Sequence, residues 1–200
     1  MTVKRKDWSA YNAGQVQRET PRPLWSVASR LAGPGLGRVA LDLGAGAGVE
    51  SAAFVEAGWR VHAYDSDGTG LAALRERLPP EARDCVVTHE VDLASAPALP
   101  LADLIYAGYT LPWLPAHSQS AVWARVRAAL TPGALLAVDL FGDRDGWSAN
   151  PLVTCLSERE ANARFDGLEI LHWEEEDQEG ESFSGPKRWH VFHVVARQPR

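Results

Sequence analysis

The stretch Val39-Ala-Leu-Asp-Leu-Gly-Ala-Gly-Ala-Gly48 decides the fold of this 200-residue chain. Strand-type residues and one acid run directly into three alternating glycines, which is typical of a buried strand that turns into a helix. Such a turn needs residues without a Cβ where the backbone approaches a ligand, and the free N–H groups of the following helix attract polar or anionic groups. The pattern predicts a turn that binds a nucleotide cofactor.

A second acid supports this prediction. Val61-His-Ala-Tyr-Asp65 has the composition of another strand, and Asp65 follows Asp42 by 23 residues. This is close to the spacing at which a parallel β-α-β unit presents a carboxylate to ribose hydroxyls. The dinucleotide pattern G-x-G-x-x-G would need a small residue at position 49, where this chain has Val49. NAD is therefore disfavoured, and an NAD oxidoreductase is the last of the functions considered.

The pattern Asp42-Leu-Gly-Ala-Gly-Ala-Gly48, with Asp65 after the next strand, resembles the first two motifs of class I S-adenosylmethionine-dependent methyltransferases. The compact size is also similar to the small bacterial tellurite-resistance type. The resemblance implies that the glycines hold the methionyl part of S-adenosyl-L-methionine, that the second acid holds the ribose, and that a later acid meets the adenine. The cofactor site so implied comprises Asp42, Gly44, Ala45, Gly46, Gly48, Asp65, Ser66, Asp92, Leu93 and Tyr106.

Strands and helices alternate along the chain. Further strands are expected at residues 86–91, 101–106, 134–140, 168–173 and 189–196, and helices are expected to begin at Thr20, Asp67, Pro115 and the Ser157–Glu160 capping box. Alternation of this kind implies a parallel sheet with right-handed connections. The resemblance adds the details: an α/β, Rossmann-like, doubly wound seven-stranded sheet of order 3-2-1-4-5-7-6, with the last strand antiparallel.

Residues 1–36 are expected to form an N-terminal helical lid or cap, and residues 37–200 the methyltransferase domain of a single-domain protein. In the enzymes that the chain resembles, such a segment folds over the cofactor and excludes water from the sulfonium. Tyr11 is the candidate for stacking near the sulfonium and Arg22 for meeting the methionyl carboxylate. The alternative is a packing arm with Tyr11 as a surface anchor and Arg22 in solvent.

The loop after the fourth strand carries the acceptor site in the family. Tyr106, Tyr109 and Trp113 could shape an aromatic pocket there, and His117 is the first candidate for a general base. The catalytic candidates are thus His117, Tyr106 and Tyr109, against the alternative that the rings belong to the core or the rim and that the histidine is an ordinary surface residue.

The remaining histidines rank lower as bases. His62 and His89 are expected to be structural or to border the adenine. His190 and His193 should lie on opposite faces of the last strand.

The loop after the fifth strand contains Asp139, Asp143 and Asp145, which could suggest a hard-cation site. Three oxygen donors are too few for such a site, so no metal is expected. Trp147 and Asn150 of the same loop are expected to wall the acceptor pocket instead.

Composition narrows the function further. The net charge of −6 argues against a nucleic-acid partner, because phosphate binding needs clustered Lys and Arg. No stretch is apolar enough for a membrane helix, and no secretory signal is visible in residues 1–7, so a cytoplasmic protein with Cys85 and Cys155 as reduced thiols is expected. The acidic run 174–181 is expected to be an exposed strand end and turn with hydrated carboxylates. Oligomeric state is not predicted.

Three functions stay open. The first is transfer of a methyl group from S-adenosyl-L-methionine to a small-molecule acceptor by in-line displacement. The second is an enzyme that binds the same cofactor but catalyses a cyclase or lyase reaction. The third is a non-catalytic cofactor-binding module.

Overall fold

The computed structural model describes residues 8–200, whose central sheet has the order β3-β2-β1-β4-β5-β8-β7. Strands β1 to β5 pair in parallel, β8 is antiparallel to both neighbours, and the two-residue β6 pairs with the end of β5. The strands are β1 Val39–Leu43, β2 Arg60–Asp65, β3 Val86–Glu90, β4 Ala102–Ala107, β5 Leu130–Gly142, β6 Cys155–Leu156, β7 Glu169–Ser182 and β8 Gly185–Arg197. The predicted order is confirmed, and β6 is the one addition.

Helices cover both faces of this sheet. They are α1 Ser9–Gln15, α2 Pro23–Ala32, α3 Val49–Glu56, α4 Gly68–Arg77, α5 Ala116–Ala129 and α6 Glu158–Ala163, with single 3₁₀ turns at Pro80–Cys85 and Leu111–Trp113. Successive strand residues alternate between two buried clusters: Leu41 and Ile105 pack on the α5 side, and Ala40 and Leu104 pack on the α2–α4 side. Burial on both faces explains why β1 is an almost unbroken apolar run.

Local capping explains most helix starts. The Asp67 side chain accepts a hydrogen bond from the Thr69 N–H at the start of α4, and Ser157 and Glu160 form the predicted capping box. The prediction that a helix begins at Thr20 is wrong. Helix α2 begins at Pro23, after an extended Arg22, because Pro23 supplies the fixed φ that suits the first helical position.

The acidic run 174–181 is not a strand end and turn as predicted. It continues β7 as far as Ser182, and only Phe183 and Ser184 lie between β7 and β8. Arginine and histidine side chains pair with these carboxylates. Arg144 and Arg188 both hydrogen-bond Asp177 and lower its pKa, and the His190 ring pairs with Glu175 at 2.9 Å. A long two-stranded hairpin therefore projects from the sheet edge.

The N-terminal segment has two parts with different surroundings. Helix α1 lies beside α4, where the Asn12 amide donates to Asp67 at 2.9 Å. Helix α2 buries Leu24 and Ala28 in the core cluster that also contains β1 and β4 residues. The division at residue 36 stays a prediction, and residues 1–7 of the expected lid lie outside the described part of the chain. Among residues 8–200, no helix is both long and apolar enough to cross a membrane.

Candidate active site

A cavity of about 1370 Å³ opens at the carboxyl ends of β1, β2, β4 and β5. Between β1 and β4 the strand order reverses, and crevices at such switch points are the usual ligand sites of open α/β sheets. Thirteen of the predicted site residues line this cavity: Tyr11, Arg22, Asp42, Gly44, Ala45, Gly46, Asp65, Ser66, Asp92, Leu93, Tyr106, Tyr109 and His117. The topology thus brings together residues that span more than a hundred positions of sequence.

The glycine turn needs its glycines for different reasons. Gly44, Gly46 and Gly48 all have positive φ, at 81°, 52° and 76°. A Cβ on Gly44 would overlap the Thr110 side chain, so this glycine keeps β1 close to the loop after β4. Gly48 is the one predicted cofactor residue that does not line the cavity. A Cβ there would overlap Leu74, so Gly48 allows α3 and α4 to pack.

Asp65 ends β2 with both carboxylate oxygens held by the backbone. Oδ2 accepts from the Gly46 N–H and Oδ1 from the Asp67 N–H, each at 2.8 Å. Burial raises the pKa of this carboxyl against the effect of those two bonds. Asp65 lines the cavity, and a carboxylate oxygen has two lone pairs, so this side chain can also accept hydrogen bonds from the two vicinal hydroxyls of a ribose.

Asp42 is buried behind the turn and accepts a hydrogen bond from the Ser51 hydroxyl at 2.6 Å. Burial, reinforced by the charge of Glu50, raises the pKa of Asp42 to about 7. Past β3, Asp92 accepts from the Ala94 N–H at 2.9 Å, and Leu93 is buried beside it. Asp92 and Leu93, the residues predicted to meet an adenine, both line the cavity.

Glu50, a buried carboxylate that was not predicted from the sequence, holds the two arginines that line the cavity. Glu50, in the first turn of α3, accepts two hydrogen bonds from Arg18, at 2.7 and 2.8 Å, and one from the Arg22 N–H at 3.0 Å. Arg22 also donates to the Tyr11 hydroxyl at 2.7 Å. Burial opposes ionisation of Glu50, but the Arg18 hydrogen bonds and the Arg22 charge outweigh it and lower the pKa.

This network excludes the solvated Arg22 of the packing-arm alternative, and the lid itself stays a prediction. The Arg22 side chain is 21% exposed, lines the cavity and is not a solvated surface residue. No local signal in the sequence indicates this pairing, because Arg18 and Arg22 precede Glu50 by 32 and 28 residues.

The two tyrosines are near the expected acceptor position but do not suit the role of general base. Burial raises the pKa of Tyr106 well above its usual value, and its hydroxyl is buried without a hydrogen-bond partner. Burial likewise raises the pKa of Tyr109, whose ring lies 5.4 Å from the Arg22 guanidinium. Both phenols stay protonated near neutral pH, so they can donate a hydrogen bond but cannot accept a proton. His117 is exposed at the start of α5 and lines the same cavity.

The remaining histidines lie away from the main cavity. The His62 and His89 rings pair at 3.0 Å, and His89 stacks on Tyr64. His193 pairs with the buried Asp139 at 2.7 Å and faces a smaller cavity of about 450 Å³. His190 pairs with the hairpin carboxylate Glu175, which agrees with the predicted opposite facing of the two β8 histidines.

Basic side chains of the protein pair with the aspartates at the end of β5 and in the loop after it. His193 pairs with Asp139, Lys187 pairs with the buried Asp145, and Asp143 lies 3.6 Å from His190. Within residues 8–200, no three His, Cys, Asp or Glu side chains are grouped so that they could hold a metal ion. Trp147 and Asn150 line the main cavity, as expected.

Comparison with known proteins agrees with this geometry. A family profile described as "Methyltransferase domain" matches residues 41–136, from β1 into β5. The trans-aconitate 2-methyltransferase of Variovorax paradoxus (strain S110) is 35% identical over 142 residues, which cover 70% of this chain and 52% of that protein. The chain belongs to the class I S-adenosylmethionine-dependent methyltransferase family. The family resemblance seen in Asp42–Gly48 and Asp65 is thereby confirmed.

The chain spans about half the length of the curated relatives it matches. Solved class I methyltransferase structures share its fold. TehB from Haemophilus influenzae superposes with a TM-score of 0.75 at 18% identity and covers 94% of this chain and 66% of its own. The Burkholderia thailandensis 1,6-didemethyltoxoflavin-N1-methyltransferase, solved with that compound and S-adenosylhomocysteine, superposes with a TM-score of 0.69 at 21% identity, covering 96% of this chain and 85% of its own.

Proposed function

We infer that this chain binds S-adenosyl-L-methionine in the large cavity and transfers its methyl group to a small-molecule acceptor. The observation that carries the proposal is Asp65, whose two oxygens are each fixed by a backbone N–H at 2.8 Å while still lining the cavity. A carboxylate held in this way is preorganised for two adjacent hydroxyls. The relatives, named as small-molecule methyltransferases, support the acceptor class.

The residues present fit the cofactor at both of its ends. The Tyr106 hydroxyl is a buried polar group without a protein partner that lines the cavity, so a bound molecule can complete its hydrogen bonding. Arg22 and Tyr11, joined by a hydrogen bond, line the cavity together with the glycine turn, and Arg22 could pair there with the methionyl carboxylate. Asp65 would hold the ribose, and Asp92 with Leu93 would meet the adenine.

The cofactor supplies a methyl group on a positively charged sulfur, which is already activated for displacement. The protein therefore needs to align the acceptor and exclude water, and alignment alone can provide much of the rate. Several residues of the segment from Trp8 to Arg22 line the cavity, and the centroid of the Tyr11 ring lies 5.6 Å from that of Phe183 in the β7–β8 turn. Closure by these two elements is the lid function that we propose for residues 8–22.

A proton leaves only when the acceptor carries one, as a hydroxyl or an amine does. Because Tyr106 and Tyr109 keep their protons, His117 is the candidate base among the predicted residues. Its exposed position at the mouth lets it pass the proton to solvent.

Turnover of S-adenosyl-L-methionine tests the proposal. The purified chain is incubated with methyl-labelled cofactor and a panel of small phenols, amines, thiols and carboxylates, and labelled product and S-adenosylhomocysteine are measured together. We expect both to appear in equal amounts with at least one acceptor class. Cofactor binding without turnover on any acceptor would instead favour the non-catalytic module. Turnover that yields a cyclised or eliminated product would favour the cyclase or lyase alternative.

A further inference from the structure

The acceptor half of the cavity is walled by aromatic rings. Nine Trp, Tyr and Phe side chains of residues 8–200 line the cavity, and most of them belong to the segments that follow β4 and β5 or to the hairpin. The rings on the acceptor side are those of Tyr109, Trp113, Phe141, Trp147, Phe183 and Trp189. They lie on the opposite side of the glycine turn from Asp65 and Asp92, because β4 and β5 lie on the other side of β1 in the sheet.

Three tryptophans form the continuous part of this wall. The ring centroids of Trp113 and Trp147 are 5.0 Å apart, and those of Trp147 and Trp189 are 5.5 Å apart. Each of the three is only half-buried and lines the cavity. They come from three separate segments of the chain, yet they present indole surface to a single space. The planes of Trp147 and Trp189 meet at 70°, so a flat ligand can stack on one ring and meet the other edge-on, and both contacts are favourable between aromatic groups.

The charges that line the cavity disfavour an anionic acceptor. Among the described residues, Arg18 and Arg22 are the only arginines or lysines in the lining, and both pair with Glu50. Arg22 is also the residue proposed above for the methionyl carboxylate of the cofactor, so neither arginine is left for an anionic acceptor. Lys187 lies 3.8 Å from the Trp147 ring and 4.0 Å from the Trp189 ring, but it is ion-paired with the buried Asp145 and does not itself line the cavity.

Carboxylates outnumber the free cations in the same lining. Asp42, Asp65, Asp92 and Glu181 all line the cavity in addition to Glu50. Several carboxylates on an acceptor would therefore meet like charge and would find no unpaired guanidinium or ammonium in the described lining.

We propose that the methyl acceptor is a planar aromatic or heteroaromatic molecule without carboxylates, which stacks on one of Trp147 and Trp189 and meets the other edge-on. The proposal rests on the function inferred above and deepens it, and it separates this chain from the tricarboxylic acid in the names of its curated relatives. In the transfer, a lone pair of an acceptor oxygen or nitrogen forms the new bond to the methyl carbon, the carbon–sulfur bond breaks with its electron pair going to sulfur, and the acceptor proton passes to His117 or water.

Calorimetric titration of the protein saturated with S-adenosylhomocysteine tests this choice with three probes. 6-Hydroxyquinoline is planar, aromatic and free of carboxylates, benzene-1,3,5-tricarboxylate is planar and aromatic but trianionic, and trans-aconitate is the aliphatic tricarboxylate. We expect 6-hydroxyquinoline to bind at least about tenfold more tightly than either tricarboxylate. Trp147→Leu and Trp189→Leu should weaken its binding about tenfold, which is the scale of a lost aromatic contact.

Trp173→Leu is the matched control, because Trp173 is also half-buried but packs on Phe165 and Phe192 away from the cavity. Tighter binding of a tricarboxylate would overturn the proposal, and so would an equal effect of the three substitutions or no binding of 6-hydroxyquinoline. If S-adenosylhomocysteine itself does not bind, the proposed function fails, and the same three titrations on the unloaded protein then judge the aromatic site.

Discussion

Replacing Glu50 with Gln should destabilise the protein more than any other single change of a carboxylate in the turn region. The Glu50 side chain is 6% exposed and is the shared partner of Arg18, at 25% exposure, and Arg22, at 21%. A glutamine keeps the volume but leaves two partly buried guanidiniums without their counter-charge. Breaking a fully buried pair costs about 3–5 kcal/mol, and the residual exposure of the two arginines places the expected loss at about 2–4 kcal/mol.

Urea unfolding measures this loss as a lower midpoint at unchanged slope. Glu56→Gln is the matched control, because Glu56 lies on the same helix α3 and is exposed, and its loss should stay within about 0.5 kcal/mol. The pH dependence gives a second check. Because the pKa of Glu50 is lowered in the folded protein from 4.5, its contribution is complete above that value and disappears as the pH falls through the folded value. The reasoning is refuted if the two variants are equally stable at pH 7.

Three further outcomes follow from the same structure. Gly48→Ala should lower the free energy of unfolding by about 2–4 kcal/mol, because a Cβ at this positive φ would overlap Leu74. Gly37→Ala is the control, since Gly37 has a similar φ but open space around it, and should lower the free energy of unfolding by about 1 kcal/mol. Equal losses in urea unfolding would contradict the packing role of Gly48. Burial raises the pKa of Asp42 from 3.8 to about 7, so between about pH 4 and 7 the folded state keeps a proton that the unfolded state releases. The free energy of unfolding of the wild type should therefore fall as the pH rises through this range, and it should fall less in Asp42→Asn. Parallel curves of unfolding free energy against pH for the two proteins would contradict this. Burial raises the pKa of Cys155 to about 11, so at pH 8 iodoacetamide should modify exposed Cys85 first, as read by peptide mass spectrometry; faster modification of Cys155 would oppose this.

Local chemistry explains which parts of the structure were predictable. The buried strand β1, the glycine turn and the acid that ends β2 each follow from residues within a few positions of one another. The Ser157–Glu160 capping box and the start of α4 at Asp67 are local in the same sense. Parallel strands then place their carboxyl ends at one edge, so the cofactor side of the cavity could be assembled from the order of the strands alone.

The parts that were missed depend on contacts between distant segments. The partners of Glu50 are 28 and 32 residues away, and nothing near Glu50 in sequence indicates them. The acidic run of β7 extends as a strand because Arg144 and Arg188 arrive from other elements to pair with Asp177. The length of that hairpin in turn brings Phe183 and Trp189 to the cavity, which a shorter hairpin would not reach.

Binding of S-adenosylhomocysteine measured by calorimetry tests the central claim most directly, because it requires neither an acceptor nor turnover. We expect the chain to bind S-adenosylhomocysteine and not NAD, and Asp65→Ala to weaken that binding by about 2–3 kcal/mol through the loss of both hydroxyl acceptors, while Asp84→Ala at an exposed site leaves it unchanged. Undetectable binding to the wild type, or equal binding to wild type and Asp65→Ala, would contradict the assignment of the cavity.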